Sequence, residues 1–298
     1  LVTDRGLTDL GLYEDLLKDL EKYNATVTVF DEVEADPSLK TLEKAISFGK
    51  DIECTGVIGF GGGSSMDVAK LTALVLGSGE DLESAWGVAN AIGPRLPLCL
   101  IPTTAGTGSE VTPVSIITVD GDEKRGVSSP IILPDFAVLD PALTLGLPAA
   151  TTAATGIDAM VHAIEAYASK NPNNNPMSGI FAKEALALLG SSIRTAVSDP
   201  KDLQARGKML LGSMLAGMAF ANSPVAAVHA LAYPLGGSFH ITHGLSNALV
   251  LPAVLRFNAV DAWAAKKYAE LYPFLFPSEE MGNNNQTNAS LFIEKLRD

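Results

Sequence analysis

The sequence predicts two domains, an α/β domain with a parallel sheet over residues 1–148 and an all-α domain over residues 149–298. Before Pro148, short β-branched or apolar runs alternate with segments of helical periodicity. That alternation is typical of parallel strands joined by crossover helices. After Pro148, long segments rich in Ala and Leu follow one another without a clear strand pattern, which indicates a helical domain.

Within the first domain, the predicted strands are residues 1–3, 25–30, 55–60, 96–102, 115–119 and 136–140. We expect the last two to form a pair that closes this domain. The predicted helices between the strands are residues 7–20, 39–50 and 65–76. In the second domain the predicted helices are 150–169, 178–197, 202–222, 228–237, 243–258 and 261–271, with polar loops at 171–176 and 278–288.

Composition narrows the class of protein. A hydrophobic content of 47% in 298 residues fits a compact enzyme-like chain, and a formal charge of -13 disfavours nucleic acid and anionic membrane as partners. No apolar run approaches the ~20 residues that span a bilayer. The start LVTDRG lacks the apolar core of a signal peptide, and two cysteines do not make a disulfide framework. We therefore expect a cytoplasmic protein.

The stretch GFGGGSSMDVAK, residues 59–70, is a candidate phosphate-binding loop. Three glycines between a strand and a helix let backbone N–H groups approach a phosphate, and the helix N-terminus adds favourable partial charge. Ser64 can cap the helix and contact a phosphate. The pattern is neither G-x-G-x-x-G nor a Walker A loop. The alternative is an ordinary tight turn, although a turn does not require three glycines.

A second candidate loop, IPTTAGTGSEVT at residues 101–112, also follows a strand. It carries the hydroxyl side chains of Thr103, Thr104, Thr107 and Ser109. Ligands bind at the carboxyl edge of parallel sheets, where such a loop would lie. Alone it is equally compatible with a polar connection. Together the two loops suggest a dinucleotide lying across two strand ends.

The stretch GIDAMVHAIEAY, residues 156–167, places Asp158 and His162 four residues apart in an apolar helix, and therefore on one face. All the histidines fall in the second domain, at His162, His229, His240 and His243. Imidazole and carboxylate are ligands for a divalent transition metal, and coordination would offset the cost of burying Asp158. The alternative is a buried Asp–His hydrogen bond. Spacing alone does not choose between His240 and His243.

The chain resembles the iron-containing (group III) alcohol dehydrogenases. The matching stretches are GGGSSMDVAK, IPTTAGTGSEVT, ATGIDAMVHAIEAY and VHALAYPLGGSFHITHG followed by LSNALVLPAVLRFN. The resemblance implies a dehydroquinate-synthase-like architecture, with an N-terminal dinucleotide-binding domain and a C-terminal helical metal-binding domain. It also implies a ligand set of Asp158, His162, His229 and His243, which leaves His240 outside the metal shell.

The resemblance further implies which residues bind the cofactor. The phosphate loop falls on Gly62, Gly63 and Ser64, with Asp67 in the same motif. The second cofactor loop falls on Thr103, Thr104 and Thr107, and a cofactor-side lysine falls on Lys124. Asp4 matches an acidic residue that favours NAD(H) over NADP(H), because a carboxylate accepts hydrogen bonds from a ribose 2′-OH and repels a 2′-phosphate. The alternative for Asp4 is a turn-forming role.

Two departures from the family pattern concern the substrate side and the chain ends. Many relatives carry a further histidine four residues after the third ligand, where this chain has Tyr233. Tyr233 and His240 are therefore the candidates for proton handling. Family members also have segments before the start and after the end of this sequence.

The function implied is NAD(H)-linked interconversion of a small alcohol and its aldehyde or ketone, by an oxidoreductase with Fe²⁺ or Zn²⁺ that forms a homodimer or larger homo-oligomer. The first alternative is a hydroxyacid–oxoacid transhydrogenase or another hydroxyacid dehydrogenase on the same fold. Lyases and glycerol dehydrogenases of this architecture match the motifs less well. The second alternative is a non-catalytic nucleotide- or metal-binding protein.

Overall fold

The computed structural model describes residues 1–119, 123–239 and 241–297. The chain divides into two compact units. The first comprises Leu1–Thr104 and Ser109–Leu143, and the second comprises Ala105–Gly108 and Thr144–Asp298. The four residues 105–108 thus belong to the second unit, although the chain on both sides of them belongs to the first. The domain boundary after residue 148 remains a prediction.

The first unit contains a parallel sheet, as predicted. Its described strands are β1 (Val57–Gly61), β2 (Gly87–Val88), β3 (Leu98–Pro102), β4 (Val114–Thr118), β5 (Lys124–Ser128) and β6 (Phe136–Ala137). The parallel sheet has the order β1-β3-β6. Val2 makes isolated parallel bridges to Phe30 and to Gly59. The predicted strands at 1–3 and 25–30 are therefore reduced to single bridges, with Val2 beside β1 and Phe30 on the other side of Val2.

The predicted pairing of the strands at 115–119 and 136–140 is wrong. Strand β4 pairs antiparallel with β5, in a second sheet of order β2-β5-β4. Strand β6 instead lies next to β3 in the parallel sheet. Strand β5 was not predicted, because its sequence, KRGVS, has little apolar alternation. Periodicity identifies a strand, but its partner is selected by contacts that are distant in sequence.

The helices of the first unit are α1 (Arg5–Asp9), α2 (Glu14–Lys22), α3 (Leu39–Asp51), α4 (Gly63–Ser78) and α5 (Leu82–Ala85). The helix predicted over 7–20 is interrupted at Gly11, whose φ of 63° lies in the left-handed region that favours glycine. Helix α4 packs against β1, β3 and β4, and most of its residues are buried. Its burial on several sides holds its N-terminus at the carboxyl edge of the sheet.

The second unit is helical in the described residues from 149 onward. Its helices are α6 (Ala149–Tyr167), α7 (Pro176–Ser198), α8 (Leu203–Asn222), α9 (Ala227–Phe239), α10 (His243–Asn258), α11 (Ala262–Leu275) and α12 (Asn285–Lys295). Six of these were predicted to within a few residues. The predicted polar loop at 278–288 is wrong in its last four residues, which form the start of α12. Asn284 is the N-cap of this helix, and its side chain accepts a hydrogen bond from Thr287 N. The apolar residues of α12 lie mainly after the predicted loop, so its polar first turn resembled a connection.

No single helix in the described residues combines the length and hydropathy needed to cross a bilayer. Leu203–Asn222 and Ala227–Gly236 meet those criteria only as a pair, and the pair is bent by 110°.

The C-terminal end of α4 packs closely on the chain that leads into β3. A Cβ atom built on Gly77 would lie 2.5 Å from both Arg95 C and Leu96 N. These are backbone atoms held in place, since Leu96 N donates to Ala73 O at 2.9 Å. The absence of a side chain at Gly77 therefore sets the distance between α4 and this segment.

We predict that Gly77→Ala destabilises the protein, although alanine is the better helix former. Relieving the overlap requires a backbone shift, and overpacking of this kind costs about 1–3 kcal/mol. The measurement is the free energy of unfolding from urea titration. Gly146→Ala is the matched control, because its Cβ would meet no atom within 4 Å. Equal stability of the two variants would contradict the prediction.

A second prediction concerns acid stability. Arg95 Nη1 and Nη2 donate to Asp135 at 2.7 and 2.9 Å, and Leu98 N donates to it at 2.8 Å. The Arg95 contact, with the backbone donor, lowers the pKa of Asp135 to about 2. Because that value lies below the unfolded pKa of about 3.9, the stabilisation is complete near neutral pH and is lost as the pH falls through about 4 towards 2.

Asp135→Asn should therefore lower the urea midpoint at pH 6, and its difference from wild type should shrink as the pH is lowered towards 3. A difference that does not change with pH would show that the Asp135 charge does not contribute.

Candidate metal centre and dinucleotide-binding edge

Helix α6 carries a buried polar face in an otherwise apolar helix. Asp158 and His162 are 3% and 6% exposed, and they lie one turn apart as the sequence predicted. The His162 ring stacks on Phe220 with centroids 4.5 Å apart, and on His229 at 4.6 Å. These ring contacts fix the orientation of the imidazole.

The other predicted ligands approach Asp158 from α9 and α10. His229 Nε2 lies 3.7 Å and His243 Nε2 lies 3.5 Å from Asp158 Oδ1. Asp158, His162 and His229 each offer a ligand atom, and these three atoms lie within 4.8 Å of one another. The structure thus gathers the four predicted ligands, with His243 the more exposed member, its side chain being 38% accessible.

The position of His243 depends on the residue that follows it. His243 is the first residue of α10, and a Cβ on Gly244 would overlap the backbone carbonyl of Ala154 in α6. Only glycine permits this approach of the two backbones. The resulting contact brings the start of α10 against the helix that carries Asp158 and His162.

Two residues of this cluster, Glu165 and Asn247, were not predicted from the sequence. Glu165 Oε2 accepts a hydrogen bond from His229 Nδ1 at 2.7 Å. Asn247 Nδ2 donates to Asp158 Oδ1 at 2.6 Å and lies 3.4 and 3.3 Å from the Nε2 atoms of His229 and His243. The available signals were helical spacings: Glu165 follows His162 by three residues, and Asn247 follows His243 by four.

Burial and charge act against each other in this cluster. Burial alone would raise the pKa of Asp158, but the neighbouring imidazoles hold it well below its usual range. Burial lowers the pKa of His162 to about 4. Burial also disfavours the His229 cation, yet the carboxylates of Asp158 and Glu165 raise its pKa to about 9. The site therefore combines the ionised carboxylate of Asp158 with the imidazole nitrogens around it.

The donor set fits a divalent transition metal. One carboxylate and several imidazoles in close proximity are suitable ligands for iron or zinc. His162 Nδ1 is buried without a hydrogen-bond partner among the described residues, so the protein alone does not satisfy this ring. A cation would also compensate the carboxylates that are buried here.

The two candidates for proton handling differ in what the structure describes. The Tyr233 ring stacks on His243 with centroids 5.8 Å apart, and its side chain is partly open to solvent. The phenol is therefore adjacent to the cluster. His240 lies outside the described residues, so its role remains a prediction.

In the first unit, the predicted phosphate loop lies at the carboxyl ends of two neighbouring strands. Gly62 is the N-cap of α4, and Gly63 and Ser64 form its first turn. Thr103 N donates to Gly61 O at 2.9 Å, which joins the ends of β1 and β3. Thr104 lies beside the loop, because a Cβ on Gly62 would be 3.5 Å from Thr104 Oγ1. A helix N-terminus with adjacent hydroxyls suits a phosphate.

Asp4 reaches the same edge of the sheet. It follows Val2, which bridges to Gly59, and Phe60 N donates to Val2 O at 2.9 Å. Asp4 Oδ1 accepts from Leu7 N at 3.1 Å, as the N-cap of α1. This contact is the turn-forming role that the sequence offers as the alternative for Asp4. The carboxylate is still partly exposed, at the sheet edge that carries the candidate phosphate loop.

Asp67 has a different environment from the rest of its motif. Its carboxylate accepts from Ser109 Oγ at 2.7 Å and from Ile116 N at 2.9 Å. The buried Lys70 Nζ donates to the same Ser109 Oγ at 2.7 Å, and burial lowers its pKa to about 8. Asp67 and Lys70 thus hold the end of the second loop against α4. Direct cofactor contact by Asp67 remains a prediction.

Lys124 belongs to the second sheet of the first unit, and Thr107 belongs to the helical unit. Lys124 Nζ donates to Asp36 Oδ1 at 2.7 Å and to Thr118 Oγ1 at 2.8 Å, in the second sheet of the first unit. Thr107 belongs to the stretch 105–108, which groups with the helical unit. There a Cβ on Gly106 would meet Thr155 of α6, three residues before Asp158. Residues 105–108 therefore pack on the helix that carries the candidate ligands.

Both units match models of one protein family. Residues 1–141 match the model described as iron-containing alcohol dehydrogenase. Residues 152–298 match the model of the C-terminal part of the Fe-containing alcohol dehydrogenase family.

Individual relatives agree with the family models. Long-chain-alcohol dehydrogenase 1 of Geobacillus thermodenitrificans is 44% identical, over 91% of this chain and 68% of the relative. NAD-dependent methanol dehydrogenase of Bacillus methanolicus is 35% identical, over 87% and 68%. The solved alcohol dehydrogenase from Oenococcus oeni superposes with a TM-score of 0.93 at 34% identity, covering 99% of this chain and 76% of that one.

The chain spans about two thirds of the length of these curated relatives, 68% for both the long-chain-alcohol and the methanol dehydrogenase. The family models match both units in order, and the two curated relatives are 44% and 35% identical to this chain. On these grounds the chain belongs to the iron-containing alcohol dehydrogenase family.

Proposed function

We propose that the protein is a metal-dependent, NAD(H)-linked alcohol dehydrogenase that interconverts a small alcohol and its aldehyde or ketone. The observation that carries this proposal is the buried cluster of Asp158, His162 and His229, whose ligand atoms lie within 4.8 Å of one another, with His243 Nε2 3.5 Å from Asp158 Oδ1. An oxidoreductase of this kind needs both a polarising group and a hydride carrier. The second requirement is supported by the glycine loop at the start of α4.

The proposed metal is Fe²⁺, with Zn²⁺ allowed by the same ligands. Such an ion supplies Lewis-acid polarisation of the substrate oxygen when it is bound. Asp158 contributes the compensating negative charge, and Asn247 orients that carboxylate through the 2.6 Å hydrogen bond. The His162 and His229 rings stack on each other, and the His243 ring packs on His229 in a tilted contact, so the three imidazoles hold their nitrogens in one place and restrict where a substrate oxygen binds.

The proposed cofactor is NAD(H), which supplies the hydride chemistry when bound. Gly62, Gly63 and Ser64 offer backbone N–H groups and a hydroxyl to its phosphates, and Thr104 flanks them. The Asp4 carboxylate would accept hydrogen bonds from a ribose 2′-OH and repel a 2′-phosphate. Thr103, Thr107, Asp67 and Lys124 complete the proposed cofactor set.

Proton transfer to and from the substrate is assigned to Tyr233, with His240 as the second candidate. Tyr233 is the better supported, because its ring stacks on the ligand His243. A phenol at this position can donate or accept a proton at its Oη atom. By its family the protein is also proposed to act in the cytoplasm as a homodimer or larger homo-oligomer.

Two other functions remain as alternatives. A hydroxyacid–oxoacid transhydrogenase would use the same ligands and phosphate loop but would retain its NAD and need no free cofactor. A non-catalytic nucleotide- or metal-binding protein would bind both groups without turnover. The deciding experiment measures metal content and NADH formation across a panel of alcohols, diols and hydroxyacids. Bound metal without NAD-linked turnover on any of them would contradict the proposal.

We predict that His229→Ala abolishes NAD-linked turnover and lowers the bound metal to a small fraction of one ion per chain. The variant loses a ligand and leaves the Glu165 carboxylate without its imidazole partner. Metal content by elemental analysis and initial rates are measured together. Circular dichroism of both proteins controls for folding. A folded variant with full metal content and rate would remove His229 from the site.

We predict that Asp4→Asn increases kcat/KM for NADP relative to NAD by about tenfold, which corresponds to about 1.4 kcal/mol. The change removes the charge that repels a 2′-phosphate, while an amide oxygen can still accept from Leu7 N and preserve the cap of α1. Asp9→Asn is the matched control, an exposed carboxylate on the same helix. If both variants keep the wild-type cofactor ratio, Asp4 does not select NAD.

A further inference from the structure

We propose that Glu165 is a positioning residue that sets both the tautomer and the location of His229, and thereby the affinity of the metal centre. The proposal rests on the proposed function, because it takes His229 to be a metal ligand. Glu165 itself is not a ligand in this assignment. It acts on the metal only through the imidazole.

Glu165 lies on the buried face of α6 that also carries Asp158 and His162. It follows Asp158 by seven residues, or almost two full turns, and is 6% exposed. Such a position is costly for a carboxylate unless hydrogen bonds replace its water. Three donors do so in the structure.

Two of the three donors are backbone N–H groups at the beginning of α9. Ala226 N donates to Oε2 at 3.0 Å, and Val228 N donates to Oε1 at 2.7 Å. The first N–H groups of a helix have no partner within that helix. Glu165 provides their acceptor and places its negative charge at the favourable end of the helix. It therefore anchors the first turn of the helix that presents His229.

The third donor is His229 Nδ1, at 2.7 Å from Oε2. An ionised carboxylate only accepts hydrogen bonds, so Nδ1 carries the proton in this contact. With Nδ1 protonated, the neutral ring that a metal requires has its lone pair on Nε2, the atom that lies 3.7 Å from Asp158 Oδ1. One carboxylate thus holds the backbone that carries the ring and selects the nitrogen that faces the other ligands.

A carboxylate in this role raises the basicity of the coordinated imidazole and restricts its rotation. Loss of such a partner typically lowers metal affinity by about 10- to 100-fold. Glu165→Gln keeps the side-chain length but has only one acceptor oxygen. Its NH₂ group must face either Val228 N–H, which donates to Oε1 in wild type, or Ala226 N–H and His229 Nδ1–H, which donate to Oε2. The three hydrogen bonds are therefore not all retained.

The test measures Zn²⁺ affinity by competition with a chelator, using the full chain. We expect Glu165→Gln to bind Zn²⁺ about 10- to 100-fold more weakly than wild type. The matched control is Glu270→Gln, since Glu270 also accepts a partly buried hydrogen bond, from Tyr167 OH at 2.6 Å, in the same helical unit. The control should keep wild-type Zn²⁺ affinity. Equal affinity of the Glu165 variant and wild type would overturn the proposal.

A second measurement is made on the wild-type protein and does not require a folded Glu165 variant. The chain has only four histidines, so ¹⁵N-histidine labelling gives a simple long-range ¹H–¹⁵N spectrum. In Zn²⁺-loaded wild type, we expect His229, assigned with His229→Gln, to carry its proton on Nδ1. A proton on Nε2, with zinc bound, would overturn the proposal while leaving the metal site intact. Wild type that binds no Zn²⁺ or Fe²⁺ would instead overturn the proposed function, and this inference with it.

Discussion

The buried charge of Asp158 is the constraint on which the helical unit depends. A carboxylate that is 3% exposed in an apolar helix is stable only if other groups replace the water it has lost. Asn247 donates to it, and the imidazoles of His229 and His243 approach from two further helices. Three helices, α6, α9 and α10, therefore meet at one charge. The same arrangement produces the candidate metal site.

In the first unit, the corresponding constraint is the close approach of backbones at the carboxyl edge of the sheet. The φ of Gly61 is 147°, and the chain turns there from β1 into the N-terminus of α4. The hydrogen bond from Thr103 N to Gly61 O holds the second loop at that turn. Asp67 and Lys70, one turn further along α4, bind the far end of the same loop. The candidate phosphate loop is thus held in place by hydrogen bonds among the protein's own groups.

Contacts between near neighbours in the chain were predictable from the sequence, whereas contacts between residues far apart in the chain were not. Asp158 and His162 are four residues apart, so helical periodicity alone placed them together. Glu165 and His229 are 64 residues apart, and Asn247 and Asp158 are 89 apart, so no periodicity relates them. The choice of His243 over His240 came from family resemblance. The mistaken pairing of 115–119 with 136–140 has the same origin, because strand partners are selected by tertiary contacts.

By itself the sequence determined the fold class, the extents of most helices and the position of the glycine loop, since each depends on interactions between near neighbours in the chain. Tertiary structure decided which side chains surround Asp158, and that Glu165 supports His229. It also decided that Asp67 turns inward to Ser109 and Ile116. The physical reason is that a buried polar group must find a partner in space, and that partner is chosen by packing, which local sequence does not encode.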